Sequence, residues 1–519
     1  MTGSDPGMGQ RRQPLLKGPP GGPESGTEYI HKVPSQNLKR MAAQNNSKLP
    51  TPLITSPFPS NRRRTTADVD RRRVSGQERS ALRKHVAICC IVMFTEGFYA
   101  THIFPYVSAM TEDLRGSKES LGTFTGLLYT AQACGMLLSA VVWAKASNKY
   151  GRKMCLMLGL ACNIVTTLVV AFSASYWAIA ALRLLSGLLN NNLSIVRTSL
   201  RERFAIAGEE DTAAFSMLSV AFGASSVAGP SLGGMLYGLV PAGAGLLQPW
   251  SPPMLTCTGL YLASLVVVAF LLPETADLQR MGGGQAALGP AGNTSGETSL
   301  LRQRRFLLIL AMGGGHSYVF TGWELVYPLI ARSQRAVGGE EWGTSEIGFT
   351  FLVGSIGLML YSLFVYPKLA KRMSILHLWI YQWGLPVLAM SAFPRLLGGM
   401  VSAGVGVRSP PVQLWNYGTQ LVVSVLLGSQ FIGIQLLLNG YVSEEPDSQR
   451  SLAVANSYLV STQALVRAAS PMITGSLFTL GIHGDLKGIL GAALPFDHLA
   501  LVGFASGILC ALELERRRP

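Results

Sequence analysis

Residues 121–172 read LGTFTGLLYTAQACGMLLSAVVWAKASNKYGRKMCLMLGLACNIVTTLVVAF. Leu121 to Trp143 and Met154 to Phe172 are apolar runs of roughly the ~20 residues that a helix needs to cross a bilayer. Between them lies a short polar stretch carrying Lys145, Lys149, Arg152 and Lys153. Two spans joined by a basic turn indicate a helical membrane protein, because positive charge collects in the loops that stay on the cytoplasmic side.

The same alternation continues outward from this pair and yields twelve spans. The first six are Val86 to Ala109, Leu121 to Trp143, Met154 to Phe172, Tyr176 to Ile195, Ala213 to Val240 and Met254 to Leu272. The second six are Phe306 to Ile330, Ile347 to Tyr366, Ile375 to Phe393, Leu414 to Asn439, Leu452 to Leu480 and His498 to Leu512. The expected fold is therefore an all-α membrane protein of twelve transmembrane helices in two six-helix halves. Residues 86–272 form the N-terminal half and 306–519 the C-terminal half. A Gly/Ala/Ser-rich connection, 273–305, is too polar to span and too featureless to pack. Residues 1–85 form a basic, Pro/Gly/Ser-rich tail that is not a signal peptide, so the first span serves as an uncleaved targeting signal.

Composition agrees. Of 519 residues 48% are hydrophobic and 14% charged, against about 25% charged in soluble domains, which excludes a string of soluble modules. The net charge of +15 does not indicate a nucleic-acid partner. Sixteen of the 43 Lys and Arg lie in the first 85 residues, clustered at Arg62 to Arg64 and Arg71 to Arg73, where a basic arm beside an apolar body meets anionic lipid headgroups. With both termini in the cytoplasm, the remaining basic residues also gather on the cytoplasmic side. The seven cysteines fall in apolar stretches, without CxxC or His spacing for a metal, and read as small core residues. Walker, HExxH and GxSxG patterns are absent from the sequence, so no enzyme and no cofactor is expected.

The halves carry a weak repeat. The first span holds Phe94-Thr95-Glu96-Gly97-Phe98, and the seventh holds Phe320-Thr321-Gly322-Trp323-Glu324 followed by Tyr327-Pro328. Such repeats characterise secondary transporters, whose substrate site lies near the midplane between the halves.

Three stretches together resemble the major facilitator superfamily, in particular its drug:proton antiporter branch and the zinc-induced facilitator-like proteins. The first, Trp143 to Lys153, is similar to that family's W-G-x-x-x-D-[RK]-x-G-R-[RK] loop, with Ala144 in place of Gly and Asn148 in place of an Asp that in relatives helps latch the halves. The second, Ala181-Leu182-Arg183-Leu184-Leu185-Ser186-Gly187-Leu188, resembles the helix-four motif whose arginine is linked to proton coupling. The third, Gly229-Pro230-Ser231-Leu232-Gly233-Gly234, matches the helix-five G-P-x-x-G-G of antiporters. Gln13-Pro14-Leu15-Leu16-Lys17 resembles the relatives' dileucine region, whereas their C-[PS]-G-C motif is missing. The resemblance implies alternating access, with Asn148, Gly151, Arg152, Lys153, Gly229, Pro230, Gly233 and Gly234 shaping the conformational change. It also implies monomeric function and a plasma-membrane or vacuolar/lysosomal location.

Proton coupling requires a membrane carboxylate able to gain and lose a proton in each cycle. Glu96 and Glu324 are the candidates, with Arg183 and His316 as coupling partners. Tyr99, Asn190, Phe320, Trp323, Tyr327, Asn456, Gln463 and Arg467 are expected to line a substrate cavity. Arg183, Ser186 and Asn190 share one helical face at i, i+3 and i+7, and Asn456, Gln463 and Arg467 share another at i, i+7 and i+11. Other roles stay open: the acids as partners of Arg183 or Arg467 in buried ion pairs, Arg467 as an anchor for an anionic substrate, and His316 as a hydrogen-bonded helix residue. The expected partners are a small-molecule or ion substrate, protons and the bilayer. The expected function is transport of a small organic solute or cation in exchange for protons. A proton-independent uniporter or symporter is one alternative, and a transporter-like receptor or scaffold is another.

Overall fold

A bilayer offers no water to satisfy peptide groups, so a spanning chain closes its hydrogen bonds within helices. The computed structural model describes residues 76–207, 212–241, 245–274, 300–443, 448–483 and 489–516, and among them every regular element is helical. The basic clusters and Leu15-Leu16 of the tail, and most of the expected central connection, lie outside the described residues.

The N-terminal half contains α1 (Gly76–Thr101), α2 (Val107–Arg115), α3 (Leu121–Tyr150), α4 (Arg152–Phe172), α5 (Tyr176–Leu189), α6 (Asn192–Ala207), α7 (Thr212–Leu236) and α8 (Ser251–Leu271). The C-terminal half contains α9 (Arg304–Arg332), α10 (Thr344–Leu360), α11 (Tyr366–Arg372), α12 (Ile375–Ser402), α13 (Pro410–Ser443), α14 (Ser448–His483), α15 (Ile489–Gly503) and α16 (Cys510–Arg516). Single wide turns, Tyr361–Val365 and Phe504–Leu509, join α10 to α11 and α15 to α16. Nine helical stretches among the described residues are long and apolar enough to cross a membrane. The expected first, fifth and seventh spans correspond to α1, α7 and α9, of 26, 25 and 29 residues.

Two departures from the expected spans have physical causes. The first helix begins at Gly76, ten residues before the expected start of the first span, because Leu82 and His85 are buried and His85 Nε2 meets Ser199 Oγ at 3.1 Å. The fourth span is not continuous. The helix stops at Leu189 and restarts at Asn192, with Asn190 extended (φ −122°, ψ 119°) and its side-chain oxygen accepting from the Asn192 amide at 2.9 Å. Asparagine competes well for backbone groups, which favours a break over helix interior.

Apolar side chains face both inward and outward. One core gathers Val92, Met93, Phe98, Leu156, Leu160 and Tyr261 within the N-terminal half. A second is built on Trp323, Tyr327, Trp379, Trp383, Phe393 and Phe496 of the C-terminal half and continues into Ile103, Phe104, Tyr106 and Met110 of the other. The halves therefore share a core at the end opposite the Asn148 to Lys153 turn. Outward, Leu138, Val141, Val142, Phe270 and Leu388 are exposed, forming the apolar surface that a lipid bilayer covers. The protein is an integral, multi-pass membrane protein.

Candidate substrate cavity, proton-handling groups and seal

Glu96 sits in the middle of α1 and is buried. The break between α5 and α6 faces it, and both flanking asparagines donate to it: Asn190 Nδ2 to Oε2 at 2.8 Å and Asn192 Nδ2 to Oε1 at 2.6 Å. Tyr261 of α8 also donates to Oε2 at 3.4 Å, and its ring stands edge-on to Tyr99 at 5.5 Å between centroids. Tyr99 OH meets Ser186 Oγ at 3.1 Å, and Ser186 donates to Asn163 Oδ1 at 3.0 Å. All of these partners of Glu96 are neutral.

Arg183 is buried on the same face of α5 as Ser186, but it faces α3 rather than an acid. Its Nε donates to the Leu128 carbonyl at 2.8 Å and its Nη2 to Gln132 Oε1 at 2.7 Å, with the guanidinium 6.0 Å from the Tyr129 ring. The buried Glu96–Arg183 ion pair left open by the sequence is not formed.

In the C-terminal half Glu324 of α9 is half-buried, and among the described residues it makes no direct hydrogen bond. It lies within electrostatic reach of Arg467 on α14 and of Tyr129 across the interface. Arg467 rests 5.3 Å over the Phe431 ring, which in turn meets Phe320 edge-on at 5.2 Å. Arg467 and Arg197 of α6 are within electrostatic reach of one another across the two halves, and both side chains are exposed. Arg197, Glu324 and Arg467 thus bring two guanidinium groups and one carboxylate together between the halves, the candidate lining of a substrate cavity. Gln463 is half-buried, and Asn456, also half-buried, accepts from Gln435 Nε2 at 2.7 Å.

The other expected cavity aromatics are placed elsewhere. Trp323 and Tyr327 are buried in the C-terminal core, where Trp323 Nε1 donates to Gln420 Oε1 at 2.9 Å and Tyr327 OH to Thr350 at 3.0 Å and Asn416 at 3.3 Å. His316 is fully buried, with Nε2 against the Leu427 carbonyl at 2.8 Å and its ring among Trp379, Trp383 and Phe431. It is not brought against Glu324.

The basic turn is held by Glu202 of α6 and by Glu274, which follows α8. Gly151 has φ +98°, a conformation costly for other residues. Behind it Arg152 clamps Glu202 of α6 through Nε (3.1 and 3.2 Å) and Nη2 (2.7 Å), and its Nη1 donates to Ser147 Oγ at 2.5 Å. The Glu274 carboxylate accepts from the Arg152 amide at 2.8 Å and the Lys153 amide at 3.0 Å, where the free amides and dipole of α4 favour negative charge. Asn148 is exposed on the last turn of α3.

Hydrogen bonds between the halves cluster at the opposite end. Thr123 pairs with Thr479, Thr130 with the Ala468 carbonyl, Thr344 and Ser345 with the Gly234 carbonyl, and Arg332 with Glu112 at 3.0 Å. Small residues make this approach possible: a Cβ on Gly122 or Gly126 would run into the Gly475 or Pro471 carbonyl, and one on Gly234 into that of Thr344. Gly229 is closed by the Thr101 hydroxyl at the end of α1 and Gly233 by the carbonyl of His102 just after it, and Pro230 is buried beside them. Cavity and seal are adjacent, since Arg467 immediately precedes Ala468.

The sequence profile of the Major Facilitator Superfamily matches residues 89–471. The chain belongs to that superfamily. Like other major facilitators it is a membrane transporter and not an enzyme. It is 24% identical to a probable peptide/nitrate transporter of Arabidopsis thaliana over 433 residues, covering 78% of this chain and 86% of that protein. It is 23% identical to Protein ZINC INDUCED FACILITATOR 1 of the same plant over 437 residues, covering 79% and 86%. Its fold is similar to the crystal structure of a bacterial homolog to human lysosomal transporter Spinster in inward-facing and unoccupied conformation (TM-score 0.62, 13% identity, 85% of this chain and 98% of that one).

Several residues of this facilitator escaped the sequence reading. Asn192 and Tyr261 complete the shell around Glu96, and the run Asn190-Asn191-Asn192 in an apolar segment was the available signal. Arg197 was hidden because a continuous fourth span placed it beyond the membrane. Glu340, in the loop after α9, is fully buried: one carboxyl oxygen accepts from the Asn416 amide and the other has no partner. Burial pushes its carboxyl up to about 8; the Asn416 bond works against this and the Glu346 carboxylate adds to it.

Proposed function

We propose that this facilitator is a secondary carrier of twelve crossing helices that exchanges a small organic solute for protons by alternating access. The Asn148 to Lys153 turn and both termini lie in the cytoplasm, in keeping with the positive-inside rule. The cavity bounded by Arg197, Glu324 and Arg467 then receives solute from the cytoplasmic side while the glycine-lined contacts of α3 with α14 and of α7 with α10 close the far side. The observation that carries the reading is the position of Glu324: a carboxylate without a hydrogen bond, beside Arg467, at the solvent-reached edge of the seal. There it is free to gain or lose a proton as Arg467 changes partner. Glu96, held by neutral amides and a phenol that suit either protonation state, is the second proton carrier.

Internal pH of sealed proteoliposomes, recorded while organic solutes are added, tests the proposal. Glu324→Gln should abolish solute-driven proton movement, and Glu96→Gln should reduce it. Unchanged proton flux in both variants overturns the assignment. A second reading, proton-independent uniport, is favoured by one observation: Arg183 is satisfied by the Leu128 carbonyl and Gln132 and not by an acid. Labelled-solute exchange with no proton movement in native protein would establish it.

A further inference from the structure

We propose that the cavity is a binding site for organic anions, specifically compact carboxylates that carry an aromatic ring. The proposal rests on the carrier reading only in taking this cavity as the substrate site; the charges and rings that argue for it are independent of transport.

Arg467 and Arg197 come from opposite halves, both are exposed and each lies within electrostatic reach of the other. One acid, Glu324, faces Arg467, while Glu96 is turned away into its shell of Asn190, Asn192 and Tyr261. Arg183 adds positive charge behind Tyr129. Two guanidinium groups against one carboxylate leave a positive excess, and among the described residues the second guanidinium has no acid of its own to offset the repulsion. A ligand anion relieves that repulsion. The planar fork of arginine suits a carboxylate, and an approach from both halves lets one ligand bridge them.

The ring follows from the wall beneath. Phe431 lies under Arg467, and Phe320 meets Phe431 edge-on, both half-buried and so partly open to a ligand that sits on Arg467. An aromatic acid can set its carboxylate on Arg467 and its ring against this pair. An organic cation of the same shape would gain the ring contact but would face two guanidinium groups.

The test uses three probes of one shape, 2-naphthoate, 2-naphthylmethanol and 2-naphthylmethylammonium, in equilibrium binding to the purified full chain. The anion should bind at least about tenfold more tightly than the other two, as expected of a charge-assisted pair. Arg467→Gln and Arg197→Gln should each erase most of that preference, Arg467→Lys should retain part of it, and Glu324→Gln should tighten the anion several-fold. The Lys variant separates lost charge from lost folding. Equal or stronger binding of the ammonium probe, no measurable binding of naphthoate, or an anion preference that survives Arg467→Gln overturns the proposal. Counterflow of labelled probe in proteoliposomes distinguishes the two failures. Binding of naphthoate without exchange refutes the carrier and leaves the anion site, whereas exchange of the ammonium probe refutes the anion site and leaves the carrier.

Discussion

Replacing Glu340 by glutamine removes a charge that the folded protein resists forming. The carboxyl is ordinarily near 4.5 and is held at about 8 in the loop beneath Asn416. In the unfolded chain it ionises at its ordinary value, so between those limits the folded state keeps a proton that the unfolded state gives up. Stability from this group is fully present below pH 4.5, falls as pH rises, and is exhausted above 8. At about 1.4 kcal/mol per tenfold change, the interval corresponds to a ceiling of about 5 kcal/mol. Glu340→Gln cannot ionise and should lose none of it. The assay is the thermal unfolding midpoint in detergent from pH 5 to 9 for both proteins. The midpoint of the variant should rise steadily relative to the native protein up to pH 8 and then stay level. Parallel curves would refute the reasoning, since they would mean that Glu340 is already ionised, or already hydrated, in the folded state.

Two further outcomes follow from the packing. Arg152→Ala removes the guanidinium clamp on the buried Glu202 and should cost about 1–3 kcal/mol, read as a lower unfolding midpoint that Glu202→Gln partly restores in the double variant. Gly126→Val places a branched side chain against the Pro471 carbonyl. It should part α3 from α14 and make Thr130→Cys, now facing the loosened contact, react faster with a membrane-impermeant thiol reagent added from the sealed side; an unchanged rate would show that the contact is not the seal.

Hydropathy located the helices well because a bilayer imposes length and composition directly, and the three motif stretches lie at the turn, the α3 contact and the glycine seal described above. The site was less legible, for reasons visible in particular residues. Trp323 and Tyr327 look identical in sequence to aromatics that face a cavity, yet tertiary packing puts them in the core and leaves Phe320 and Phe431 to form the wall. Asn190 falls at i+7 from Arg183 as if on one helical face, but the chain breaks there and Asn192 swings in beside it. Glu340 stands in Gly338-Gly339-Glu340-Glu341-Trp342, a composition that reads as exposed loop. Its burial follows from the fold of the loop against α13, which no periodicity records.

The contact between Gly122, Gly126, Pro471 and Gly475 is made largely by main chain. Backbone pressed on backbone has no rotamers to shuffle, so it cannot loosen by degrees. In the proposed alternating-access cycle this part of the facilitator acts as an insulator. On that reading a gradient across the membrane does not leak past α3 and α14 while the contact holds, and dissipation waits for the two halves to move as bodies.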